Sequence, residues 1–319
     1  NLTGWDKEVW LYIIFGYYVL ATLLPVDKII GSIYPFMGAI LLFMAFGIGG
    51  AMVVGALNGS VEMVELTPSM LKNWHFNSAT NLIFPMMFIV ISCGAISGFH
   101  ATQSPMMARC LKNEKHARPV FYGAMMAEGI VAMIWATAAM AYFGGPEGLN
   151  AAMSSTGVEI NGQLIKNAQA ADLVNLICNS WLGKVGAIIA ILGVVICPIT
   201  SGDTAFRSLR LSIADFLKFD QKPIVKRLAI CIPVFVVAFF FCKVDFSTAW
   251  SYFGIANQIF AALVMWTGAA YLASKNRPHW MCSIPATFLT FICVSFIMIS
   301  PLGFHMQPLV GYVAGTVVA

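Results

Sequence analysis

Apolar residues run along this chain in blocks of sixteen to twenty-six, separated by shorter polar connections. A helix needs about 20 mostly apolar residues to cross a hydrocarbon core of about 30 Å. Eight stretches meet that need, at approximately 8–25, 33–56, 82–100, 120–143, 184–201, 227–242, 248–273 and 279–300. They predict an all-α, polytopic transmembrane helical bundle, forming a single domain over 1–319.

One block breaks the pattern. Residues 91–100, Ile-Ser-Cys-Gly-Ala-Ile-Ser-Gly-Phe-His, end an apolar run with two glycines, two serines and a histidine. Hydrocarbon cannot hydrogen-bond freed backbone groups. A helix interrupted at that depth is tolerated only where protein buries it or where it lines an aqueous cavity, as in the substrate sites of transporters. Ser92, Cys93, Gly94, Ala95, Ser97, Gly98, Phe99 and His100 are therefore candidate substrate-binding residues. The same Gly94-to-Gly98 spacing also suits a small-residue face for helix packing.

Composition agrees with the pattern. The chain is 59% hydrophobic and 10% charged, with a mean hydropathy of +0.81, against about 25% charged in soluble proteins. The net charge of +4 is spread along 319 residues and predicts no nucleic-acid partner; the bilayer is the expected one. Eight cysteines lack CxxC spacing and read as small hydrophobes, and five histidines lack the i, i+4 pairing of a helical zinc site. No metal is expected. Asn1 in place of methionine and an apolar run stopping at Ala319 read as cut ends, with no signal peptide.

The positive residues give an orientation. Lys28, Arg109, Lys112, Lys115, Arg118, Arg207, Arg210, Lys218, Lys222, Lys226, Arg227, Lys275 and Arg277 fall in one set of connections. Only Lys7, Lys72, Lys166, Lys184 and Lys243 fall in the other. The first set is predicted to be cytoplasmic, so 82–100 runs from outside to inside. The two long outer connections, 57–81 and 144–183, read either as lids or as plain connectors.

Three further polar features lie where polarity is costly. Glu128 is the one carboxylate clearly inside an expected span, a candidate proton carrier or a structural acceptor for a neighbouring helix. Thr200, Ser201, Asp203 and Thr204 supply oxygen ligands for Na⁺ or a hydrogen-bonded proton site. Asp203 reads alternatively as a helix cap, and Arg207 and Arg210, four and seven residues on, can pair with it along one helix face. Asn257 and Gln258 enter a long apolar helix, where amides bond across helices or touch a substrate. GxSxG, HExxH, Walker A and GxGxxG motifs are absent from the sequence, so no enzyme chemistry is expected.

Phe84-Pro85 and the segments 91–100, 198–210 and 250–258, with 24–35, resemble the carbon starvation protein CstA family, and the resemblance runs over nearly the whole chain. It implies a secondary transporter of the amino acid–polyamine–organocation superfamily, with an inverted-repeat, LeuT-like fold incomplete at the N-terminus. Uptake of small peptides, or of pyruvate, under carbon starvation is implied, with coupling to H⁺ or alternatively Na⁺ and no other cofactor. The implied setting is the plasma membrane of a bacterium or archaeon. The spans would then be the fourth to eleventh of that fold, with 82–100 the broken sixth, and the N-terminal remainder would be a partner. A nutrient sensor that binds without transport is the alternative expectation.

Overall fold

The structure, a computed structural model, describes residues 6–23, 34–65, 67–70, 72–75, 77–78, 81–160, 162–220, 223–244 and 246–319. Most of the 24–35 motif therefore lies outside the described residues. Eleven α-helices are described: α1 (Lys7–Leu23), α2 (Tyr34–Leu57), α3 (Ile83–Ala95), α4 (Gly98–Cys110), α5 (Ala124–Tyr142), α6 (Pro146–Met153), α7 (Ala170–Phe216), α8 (Ile224–Phe241), α9 (Phe246–Ser274), α10 (Trp280–Ile299) and α11 (Pro308–Val318). A π-helical turn, Arg118–Gly123, leads into α5. One antiparallel hairpin, β1 (Val158–Ile160) with β2 (Gln163–Ile165), pairs Val158 with Ile165 and Ile160 with Gln163.

Among the described residues six helices are long and apolar enough to cross a membrane: Tyr34–Leu57, Glu114–Tyr142, Ala170–Phe216, Ile224–Phe241, Thr248–Ser274 and Trp280–Ile299. Each overlaps an expected span. The other two expected spans differ. The first contains a shorter apolar helix, Glu8–Ala21, and 82–100 is divided between α3 and α4. The expected span 184–201 is only the middle of α7, which has 47 residues. Gly183, at φ 64°, bends that helix on its N-terminal side, a backbone angle that a glycine adopts without steric cost. On the C-terminal side nothing breaks helix until Lys218 at φ 53°, and the Asp203–Arg207 pair at i, i+4 supports it.

The chain divides into two compact units, one from the residues up to 76 with Met126–Cys231, the other from Asn77–Met125 with Ile232–Ala319. In the first unit α2 lies along α7, and Met44, Ala45, Ile48 and Met52 interlock with Ala138, Ile177, Cys178, Ala187 and Ala190. Small residues on α7 let the helices approach closely, the packing that serves where lipid offers no hydrophobic drive between helices. Beyond it, Phe143, Ala152, Ile165, Ala168 and Leu173 form a small core beneath the hairpin.

In the second unit α9, α10 and α11 pack in sequence, and α3 and α4 lie on α9. Ile89, Ile255, Ile292, Cys293 and Phe296 fill its centre. Phe84 at the start of α3 stacks on Phe88, Phe291 and Tyr312, and its carbonyl accepts from the Tyr312 hydroxyl at 3.0 Å. Phe46, Val54, Val185, Phe240 and Leu309 remain exposed, as apolar side chains facing lipid should.

Candidate functional site

The interrupted helix is built from its own sequence. The last turn of α3 closes where Ile96 N–H donates to the Ser92 carbonyl at 2.7 Å, and Ile96 then turns to φ −137°, ψ 92°. Ser97, equally extended, caps α4. Its Oγ accepts from Phe99 N–H, while Ser97 N–H donates to His100 Nδ1, both at 3.2 Å. His100 thus takes the place a Glu or Gln holds in a capping box. The break is a defined stop and restart of helix, with the freed N–H groups of Ser97 and Phe99 met by the His100 and Ser97 side chains.

Asn257 and Gln258 on α9 join the break from the side. Asn257 Nδ2 donates to Ser97 Oγ at 2.9 Å, and Gln258 Nε2 donates to the Ile89 carbonyl of α3 at 3.3 Å. Ser97, Asn257 and Gln258 are all buried, Gln258 completely. The two glycines do different work. A Cβ on Gly98 would lie 2.8 Å from both the Asn257 carbonyl and Oδ1 and 2.9 Å from Phe260 Cδ1, so Gly98 is what lets α4 reach α9. Around Gly94 nothing lies within 4 Å of such a Cβ. The packing use of a small residue is met at Gly98, and open backbone is met at Gly94. Phe99 turns its ring toward Phe253. Cys93 and Ala95 belong to α3, and their side chains lie outside the described atoms.

The polar segment of α7 is organised differently from a cap. Asp203 lies inside α7, 3% exposed, so the cap reading of this residue gives way to a buried ion pair. Arg207, 2% exposed, brings Nη2 to 3.1 Å from Oδ1 and 3.2 Å from Oδ2. The same nitrogen donates to the Ala21 carbonyl at the end of α1 at 3.0 Å. Tyr34, the first residue of α2, donates to Asp203 Oδ2 at 3.2 Å. The Tyr17 hydroxyl is also buried, without a hydrogen-bond partner among the described residues. Helices α1, α2 and α7 thus meet at the Asp203–Arg207 pair. Beside Tyr34 a cavity of about 160 Å³ opens, lined also by Gly38, Gly193, Cys197 and Thr200.

The other expected coupling residues separate. Thr200 Oγ1 donates to the Cys197 carbonyl at 2.9 Å, and Thr204 Oγ1 to the Thr200 carbonyl at 2.9 Å. Both hydroxyls are engaged by their own helix, and Ser201 is half-buried beside them. Glu128 has an exposed side chain on α5. Sequence reasoning missed Tyr34 and Tyr17. Each reads as one more aromatic at a helix end or within an apolar run; only the i, i+4 spacing of Asp203 and Arg207 hinted at the pair.

Six apolar helices of spanning length, together with an interrupted one stitched by buried amides, define a multi-pass membrane protein. The sequence matches the family described as Carbon starvation protein CstA over residues 1–175 and 166–295, and the chain belongs to that family. A Haemophilus influenzae protein described as an uncharacterized membrane protein is 45% identical over 167 residues, covering 48% of this chain and 45% of its own length. The peptide transporter CstA of Bacillus subtilis is 28% identical over 290 residues, covering 80% of this chain and 48% of its own. The pyruvate/proton symporter BtsT of Escherichia coli is 33% identical over 131 residues, covering 40% of this chain and 18% of its own. The chain thus spans less than half the length of these three relatives. The two that are named for an activity are transporters, not enzymes. No solved structure matches.

Proposed function

We propose that this chain forms part of a secondary transporter that imports a small peptide, or a small carboxylate such as pyruvate, across the cell membrane during carbon starvation. The observation that carries the reading is the stop and restart of helix at Ile96–Ser97, held by buried Asn257. In lipid, such a break persists where protein or a cavity satisfies it, and it is the usual form of a transporter's substrate site. On the LeuT-like inverted-repeat fold expected for the family, α3 and α4 are the two halves of the broken sixth helix. The N–H groups of Gly98, Phe99 and His100 suit a substrate carboxylate once the Ser97 and His100 cap yields. The backbone at Gly94 offers close approach to the rest of the molecule.

For coupling, Asp203 is supported better than Glu128, because it alone combines burial with a partner whose bond its protonation would weaken. A proton on Asp203 would loosen Arg207, and with it the tie from α7 to the end of α1. Tyr34 at the cavity offers a hydroxyl for the proton's entry.

Uptake into proteoliposomes holding the complete protein, under an imposed pH gradient, tests the reading. Dialanine or pyruvate accumulates with the gradient, and Asp203→Asn retains binding but loses the dependence on the gradient. Gradient dependence lost in Glu128→Gln and kept in Asp203→Asn would move the coupling to Glu128. Saturable binding with no accumulation in the unsubstituted protein would favour a sensor.

A further inference from the structure

The two long connections that the charge distribution places outside meet within the first unit. Val64 of the first approaches Gly145 of the second, and between them lies a cavity of about 720 Å³. That is the size of a small-molecule site, large enough for a di- or tripeptide. Its lining includes Trp74, Glu147, Asn150, Ser154, Thr156 and Asn167, a set with an aromatic wall, one carboxylate, and neutral amides and hydroxyls.

The chemistry of that lining selects a cation. The Trp74 Nε1 donor is committed to the Met70 carbonyl at 3.1 Å, so the indole offers its ring face. An ammonium already sits there: Lys72 Nζ lies 3.8 Å from the ring centroid, within the range of cation–π attraction. Glu147, exposed in the first turn of α6, supplies the countercharge, and among the described residues Lys72 on the indole face is the cation that a ligand's ammonium would have to displace. The Asn150 amide, half-buried and without a side-chain hydrogen bond among the described residues, can take a peptide carbonyl. We infer that this cavity is an outer vestibule that captures amine-bearing ligands, a peptide by its α-ammonium, through Trp74 and Glu147.

The inference rests on the transporter reading and narrows its substrate class, since a 2-oxoacid carries no ammonium. Titration calorimetry on the complete protein in lipid nanodiscs tests it with dialanine, N-acetyl-dialanine and pyruvate. Dialanine should bind, with N-acetylation, Glu147→Gln or Trp74→Ala each weakening it about tenfold. Lys72→Ala should tighten it, by removing a competing like charge. Absence of dialanine binding, equal affinity for the acetylated peptide, or indifference to Glu147→Gln and Trp74→Ala would overturn the vestibule. So would weaker binding in Lys72→Ala, which would put the peptide's carboxylate there. Gradient-driven uptake that survives those losses would leave the transporter reading standing without it.

Discussion

Replacing Asp203 with alanine is expected to lower the stability of the protein by about 3–5 kcal/mol, the cost of breaking a buried ion pair by removing one partner. Arg207 is 2% exposed and its guanidinium has Asp203 on one side and the Ala21 carbonyl on the other. Without the carboxylate Arg207 loses the partner 3.1 Å from its Nη2, and Tyr34 loses its acceptor as well. Arg207→Ala should cost a similar amount, because it strands the carboxylate. The double replacement Asp203→Leu with Arg207→Met should recover most of the loss, since apolar side chains of similar volume avoid the desolvation of both charges. Thermal unfolding in detergent reads all three. Near-additive losses in the double variant would show that the two residues act independently and that the pair is not what ties α7 to α1 and α2.

Gly98→Ala and Gly94→Ala should have opposite outcomes although both add one methyl group four residues apart. At Gly98 the new carbon meets a backbone carbonyl, which cannot swing aside, and the Asn257 side chain. Overpacking of that kind costs about 1–3 kcal/mol, and here it would also part Ser97 from Asn257. At Gly94 the added carbon meets nothing, and alanine improves helix propensity by about 1 kcal/mol. Gly94→Ala should therefore fold as well as the unsubstituted protein, whereas Gly98→Ala should melt earlier. Substrate binding separates the roles further. It should fall in both variants, in Gly98→Ala with the fold and in Gly94→Ala without it, because the methyl group occupies backbone that a substrate approaches. Full binding in Gly94→Ala would remove that backbone from the site.

What was legible in the sequence was whatever a single helix carries within itself. Apolar length located the long helices, and the Gly/Ser/His run at 91–100 marked a break because its residues cap and stop helix locally. The i, i+4 spacing likewise announced Asp203 with Arg207. What was not legible came from contacts far apart in the chain. Tyr34 is 169 residues from Asp203, and nothing beside Tyr34 distinguishes it from an interfacial aromatic. Ser97 and Asn257 are 160 residues apart, so the sequence left the amide's partner open. Helix α7 runs on past the expected span 184–201, because the buried Asp203 draws Arg207 into the helix packing. The division of labour between Gly94 and Gly98 could come only from what lies opposite each.

The central claim is that the backbone at the end of α3 lines an aqueous cavity that a substrate enters. Gly94→Cys, in a background with the eight native cysteines replaced, tests it by the rate of labelling with a charged, membrane-impermeant thiol reagent in the complete, reconstituted protein. The account predicts labelling that dialanine or pyruvate slows. A thiol at that position that stays inert, or one whose labelling neither substrate changes, would contradict it.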